Sequence, residues 1–135
     1  MKEETKQNIL NSLVSGKSLT TVLSAKAKEF MFESVQNELV TKYETDGWVV
    51  YKRYKTSIRM QRRKPMDMAF EDDVWTLFAR MGFSFLNKDR NFRLPYSNDE
   101  KLTQQIDIFV ADEETILIIE CKVAGNPKQS NFKET

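Results

Sequence analysis

Apolar residues along this chain follow two different periods, and the change from one to the other outlines its elements. Phe70, Val74, Leu77, Phe78 and Met81 recur at helical spacing and predict a helix with one apolar stripe, Asp67 as its N-cap and Gly82 as its stop. Ala27, Met31, Val35, Leu39 and Tyr43 form an i, i+4 series that predicts an earlier helix from Ser24 to about Thr45, its stripe buried or used as a dimer contact. Before it, a polar stretch to about residue 23 holds Ile9, Leu10, Leu13 and Val14, enough for one short amphipathic helix. Gly47 breaks the helical pattern, and Trp48-Val49-Val50-Tyr51 with Ser57-Ile58-Arg59-Met60 predicts a short hairpin or two extended strands. Two later runs, Gln104 to Val110 and Thr115 to Lys122, are rich in β-branched and aromatic residues. Asp112-Glu113-Glu114 separates them, so they predict the arms of an antiparallel hairpin.

Charged residues inside those arms raise an electrostatic question. With Glu113 and Glu114 as the loop residues, Asp112 faces Thr115 and Asp107 stands opposite Glu120, with Cβ atoms roughly 5 Å apart. Lys122 follows on the face of Glu120, because strand side chains alternate. Like charges directly opposite destabilise a sheet, and partial burial adds to the cost. A divalent metal bound by both carboxylates, with Lys122 alongside, answers that; Mg²⁺ typically takes one or two carboxylates plus waters and substrate phosphates. The plainer alternative pairs Glu120 with Lys122 and turns Asp107 to water. On the predicted helix, Glu71 and Asp73 flank the apolar stripe on opposite sides and Asp72 points away from it. Trp75 widens the stripe on the Glu71 side, which makes Glu71 the more buried acid. Asp72 and Asp73 read as first-turn acids that complement the helix macrodipole.

Composition narrows the chemistry. The chain has 135 residues, 40% hydrophobic and 30% charged, which suits one small soluble domain. It contains no histidine, so Ser-His-Asp and Cys-His catalysis, histidine-metal nucleases and Cys-His zinc sites are excluded. The glycines stand far apart and form no phosphate-binding loop. Cys121 is the single cysteine; it cannot form an intramolecular disulfide and is expected to pack as a small hydrophobe. No apolar run approaches the roughly 18 residues of a membrane span, and Met1-Lys2-Glu3-Glu4 lacks a signal-peptide core. A cytoplasmic protein without membrane contact is the expectation.

Lys52, Arg53, Lys55, Arg59, Arg62, Arg63 and Lys64 fall within thirteen residues that contain no acid, with Tyr51 and Tyr54 nearby. Such a run is either a solvated strand face or a phosphate-binding surface, and it favours DNA when it precedes a metal site. The aromatics near it are too few to predict a base-stacking platform.

Asp107 followed by Glu120-x-Lys122 resembles the active-site signature of the PD-(D/E)XK, or restriction-endonuclease-like, nuclease superfamily. Residues 48–122 look most like the nuclease-like N-terminal segment of DGQHR-domain proteins, relatives of DNA-sulfur-modification proteins in bacterial defence islands. The segments that carry this resemblance are Phe70 to Phe83, Gln105 to Phe109, and Glu120-Cys121-Lys122. It implies a Mg²⁺- or Mn²⁺-dependent DNA endonuclease-type domain, a phosphodiester hydrolase of DNA defence or modification. Asp107 and Glu120 would hold the metal, and Glu71 would bind a second metal or the hydrated shell of the first. Lys122 would orient the attacking water or stabilise developing charge, and Gln105 would orient a ligand or water.

The fold expected on this basis is α+β, α/β in a looser sense. It would be a partial restriction-endonuclease-like core of helix and mixed sheet, with an extra N-terminal helix and a basic hairpin. Its expected divisions are a polar segment 1–23, a nuclease-like domain 24–124, and a polar tail 125–135 that starts a linker. Only thirteen residues follow Lys122, too few for a further helix and strand, so the remainder of an αβββαβ core would come from a longer polypeptide, from the earlier hairpin and helix, or from another subunit such as a homodimer partner. Two other classes stay open: a catalytically inactive DNA-binding module retaining the fold, and a helix-mediated assembly domain.

Overall fold

A computed structural model describes residues 1–123, and their class is α+β. The elements run α1 (Glu3–Asn11), β1 (Leu13–Val14), α2 (Gly16–Lys26), β2 (Phe30–Val35), a 3₁₀ turn (Asn37–Leu39), α3 (Val40–Thr45), β3 (Val49–Arg53) and β4 (Ile58–Arg63). They continue with α4 (Met66–Arg80), β5 (Phe85–Asn87), β6 (Arg93–Pro95), β7 (Thr103–Gln105), β8 (Ile108–Ala111) and β9 (Ile116–Ile119). The chain divides into two compact units, one of Lys28–Pro65 and one of Met1–Ala27 together with the residues from Met66 onward. Each strand pair among the described residues is antiparallel, where a mixed sheet was expected. Among the same residues no helix is long and apolar enough to cross a membrane.

In the larger unit a four-stranded sheet has the order β1-β5-β8-β9. All four residues of β8 are buried, because both faces of this strand are covered. Ile108 and Val110 join Val14, Trp75 and Leu86 beneath α2 and α4, while Phe109 and Ala111 pack with Phe92 and Ile106 on the other side. A strand covered twice reads as a continuous apolar run, which is how its segment looks in the sequence. β9 pairs with β8 in the predicted register, Ile108↔Ile119 to Ala111↔Ile116. Asp112 closes the turn: its Oδ1 accepts the N–H groups of Glu114 and Thr115. Leu117 and Ile119 face the core, and Ile116 and Ile118 are exposed.

The polar lead-in is more structured than its composition predicts. In place of one short helix it holds α1 and α2, with Leu13 and Val14 extended between them and paired with Asn87 and Leu86. α4 ends as expected, at Gly82 with φ +99°. Asp67 lies inside the first turn rather than at the N-cap, its Oδ1 accepting the Met68 N–H. The helix is also rotated from the predicted stripe. Asp72, Trp75 and Thr76 are its buried residues, whereas Phe70, Leu77 and Met81 are exposed. Trp75 decides this, since an indole of that size gains most from full burial and carries its i−3 neighbour Asp72 inward with it.

The smaller unit is a three-stranded sheet of order β2-β4-β3, covered on one face by α3. Its core is Val35, Ile58 and Met60 with Val40, Tyr43, Trp48 and Val50 around them. The predicted β3 and β4 strands form and pair. The helix predicted from Ser24 to Thr45 does not: β2 occupies its middle. An i, i+4 series lies on one face of a strand as well as of a helix, so Met31 and Val35 satisfy both, and Phe30 and Phe32 on either side of Met31 tip the segment to strand. Gly47, at φ +93°, caps α3 with the Gly47 N–H on Glu44 O and the Trp48 N–H on Tyr43 O, the bond pattern of a Schellman ending.

One buried amide holds the large sheet in register. Asn87 Oδ1 accepts the Phe109 N–H at 3.0 Å, and Nδ2 donates to Asp107 O at 3.1 Å and Asp89 O at 3.0 Å. Trp75 Nε1 donates to Asn87 O at 2.9 Å. Asn87→Ala is expected to cost about 2–4 kcal/mol, because several bonds go and a buried N–H loses its acceptor. Urea unfolding measures this, and a loss below about 1 kcal/mol would show that the bracket is dispensable.

Candidate functional site

Three segments converge where β8 begins and β9 ends. α4 brings Glu71 and Asp72, the residue before β8 is Asp107, and Glu120, Cys121 and Lys122 follow β9. One step beyond the last ladder pair, the same register sets Asp107 across from Glu120. Their side chains then part. Asp107 is half-buried, and its Oδ2 accepts the Cys121 N–H at 2.9 Å. Glu120 and Lys122 are 71% and 81% exposed and pair with each other at 3.4 Å. They share the outward side of their strand with Ile116 and Ile118, opposite to Cys121, which packs against the core. The same-face ion pair between Glu120 and Lys122 therefore forms, while Asp107 is held by backbone rather than turned to water.

Glu71 is where the carboxylates meet. Its side chain is 19% exposed, and burial pushes its proton affinity above the ordinary carboxylate range. The Asp107 carboxylate adds to this, partly offset by Arg90 and Lys26. Cys121 lies in the same negative field: burial raises the pKa of its thiol, and Asp107 and Glu71 raise it further.

The fully buried acid is Asp72, 1% exposed, and not Glu71 as expected. Its Oδ1 accepts Lys26 Nζ at 3.3 Å and Arg90 Nη2 in a close ion pair. Lys26 also lies over the Trp75 ring, 5.2 Å from its centroid. Burial lowers the Lys26 pKa, and Asp72 works against that shift. Arg90 reaches Glu71 as well, Nε to Oε1 at 3.9 Å, so it touches both acids. Gln105, expected to orient a ligand or water, instead donates from Nε2 to Arg90 O at 2.8 Å and steadies the loop that carries the guanidinium.

Asp72 and Asp73, expected as first-turn acids, lie beyond the first turn of α4, which starts at Met66, and Lys26, Arg90 and Asn87 carry no assignment in the sequence. Asp72, Trp75, Thr76 and Ala79 do lie on one helical face, and an acid on a face with a tryptophan requires a cation to meet it. Lys26 and Arg90 stand forty-six and eighteen residues away, with no local pattern to announce them.

Among the described residues no group of three or more Asp, Glu, Cys or His is placed to hold a metal ion. Glu71 and Asp107 are two acids close enough for the charge of Asp107 to raise the proton affinity of Glu71. A cleft of mixed polar and apolar lining between α1 and the Phe92, Arg93 and Thr103 region includes neither Glu71 nor Asp107. The seven residues of the basic run all lie in the smaller unit, Arg59, Arg62 and Arg63 on β4, Lys52 and Arg53 on β3, Lys55 in the connection between them and Lys64 just after β4. No family model, curated protein or solved structure matches the chain.

The raised Glu71 has a consequence for stability. A group whose folded pKa exceeds its unfolded value contributes stability below the unfolded value and loses it as pH rises through the folded one. Glu71→Gln, a mimic of the neutral acid, is thus expected to raise Tm at pH 7 by about 2–4 °C in chelator. The advantage should vanish below about pH 4, where wild-type Glu71 is itself neutral. Thermal melts at both pH values decide it; a variant less stable than wild type at pH 7 would show that Arg90 dominates over Asp107.

Proposed function

We propose that this chain is a metal-dependent nuclease-type domain that acts on DNA by phosphodiester hydrolysis, of the PD-(D/E)XK kind its residues resemble. The observation that carries this reading is half-buried Glu71 standing within the field of the half-buried Asp107 carboxylate, which raises the proton affinity of Glu71. Two hard oxygen donors with excess negative charge suit Mg²⁺ or Mn²⁺, and Mg²⁺ needs only one or two carboxylates from protein. When bound, such an ion would lower the pKa of a coordinated water and offset charge on the phosphate. Arg90, in contact with both Glu71 and Asp72, fixes the carboxylate that faces Asp107. The Cys121 N–H fixes Asp107 by donating to its Oδ2, and the other carboxylate oxygen, Oδ1, would be the one to meet a ligand. Lys122 is held by an exposed ion pair, which is weak, so its amine can turn to a phosphate.

A second reading, a module that binds DNA without cutting it, is favoured by one observation. Glu120 and Lys122 lie on the opposite side of their strand from Cys121, which feels the acid pair. In that reading Glu71 and Asp107 belong to the ion network that seats α4 on the sheet.

Millimolar Mg²⁺ or Mn²⁺ is expected to raise Tm, since a ligand that binds only the folded state stabilises it. Asp107→Asn should remove most of that rise; an unchanged Tm with metal sinks the metal assignment. In a plasmid-nicking assay Lys122→Ala should abolish cleavage and leave DNA affinity within about twofold, the signature of a group that acts on the transition state. Equal nicking by both proteins would refute that role, and no nicking by the wild type would favour the binding module.

A further inference from the structure

We infer that the open face of the β2-β4-β3 sheet is a binding surface for single-stranded nucleic acid. The inference rests on the nucleic-acid part of the reading above and not on its metal.

Side chains directly opposite each other in an antiparallel sheet share a face. Phe30, Phe32 and Ser34 of β2 stand opposite Arg63, Gln61 and Arg59 of β4, on the face away from the Val35, Ile58 and Met60 core. The register of β3 shifts between Val50 and Lys52, and Lys52 pairs with Arg59. Tyr51, at this irregularity, sets its ring against Phe32 with centroids 5.1 Å apart and planes at 76°. Arg59 lies over the Phe32 ring at 4.8 Å and Arg63 over the Phe30 ring at 5.1 Å. Rings and guanidinium groups therefore alternate across one sheet face. Tyr51 is 55% exposed on it, and Lys52 stands over Tyr54 at its margin.

Charge runs the same way. The Lys28–Pro65 unit has nine Lys and Arg against five Asp and Glu, while the rest of the chain is net acidic. Four of those five acids are off the open face: Glu33 bonds Tyr43 on the covered side, Glu38 is in the 3₁₀ turn, and Glu44 and Asp46 are in and just after α3. The fifth, Glu29, forms an exposed ion pair with Arg63 that a phosphate can replace. Cations alone would suit any polyanion. The rings select the strand state: unpaired bases offer their π faces to aromatic and guanidinium groups, whereas a duplex keeps its bases stacked inside. Only Tyr51 and Tyr54 are near the basic run in sequence; Phe30 and Phe32 join them on this face because their segment is the strand β2 and not the helix its i, i+4 spacing predicts.

The test is fluorescence anisotropy of the full chain in EDTA, with labelled oligonucleotides of about 10 residues: single-stranded DNA, single-stranded RNA, and a DNA duplex of equal length. Single strands are expected to bind at least about tenfold more tightly than duplex. Tyr51→Ala should weaken single-strand binding about tenfold and leave duplex binding unmoved. Arg59→Gln should reduce the salt slope by about one. Tyr51→Ala removes an exposed side chain, and Tyr51→Trp, which keeps a π face, should restore affinity. Duplex binding as tight as single-strand binding, or a Tyr51→Ala variant with full affinity, overturns the proposal. With metal absent throughout, a failed cleavage assay and a failed binding assay remain distinct results.

Discussion

A carboxylate taken out of water organises the larger unit. Burying Trp75 turns α4 so that Asp72 enters the interior, where an unpaired charge would be strongly destabilising. Lys26, at the end of α2, and Arg90, in the loop after β5, answer it from two directions. One acid thereby ties two helices and a loop to the sheet. The arrangement also orders Glu71, because Arg90 cannot serve Asp72 without approaching the next carboxylate along the helix. The half-buried acid pair is in this sense a by-product of the buried one: α4 must sit where its tryptophan fits, and that places Glu71 beside Asp107.

Asn87 does for the backbone what Arg90 does for the acids. Its amide spans two neighbouring strands, taking the Phe109 N–H and giving to Asp107 O, at the point where β8 leaves the ladder. Asp107 is then presented by a chain segment whose polar groups are already satisfied, and its side chain is held by the Cys121 N–H. Neither hold involves Glu120 or Lys122. The strand end thus offers two chemistries on its two sides, a repelling acid pair inward and a solvated ion pair outward.

The sequence was most legible where periodicity and turn chemistry agree. The β8–β9 register follows from Asp112, whose side chain can close only one turn, and from strands that tolerate no slip without exposing Ile108 and Val110. β3, β4 and the end of α4 at Gly82 were legible for similar local reasons. The segment 24–45 was not, because residues four apart share a face in both helix and strand. The rotation of α4 was hidden too: the Leu77 stripe and the Trp75 face are both apolar, and only tertiary packing ranks them. At the site, the expected partner of Asp107 across the hairpin was Glu120, and it is Glu71 whose proton affinity Asp107 raises, while the cations that meet Asp72 are long-range partners with no signature in the chain.

β9 has one neighbour among the described residues, so its far side is a sheet edge with Ile116 and Ile118 beside it. A row of unspent N–H and C=O groups next to exposed isoleucines is a template on which another strand can add, and natural sheets guard such borders with charge. Glu120 and Lys122 stand at the end of this strand, Glu113 and Glu114 at its start. Charge at both ends of that strand makes its border a poor template for a second copy of the chain, because another strand would have to bring its own residues against those charges.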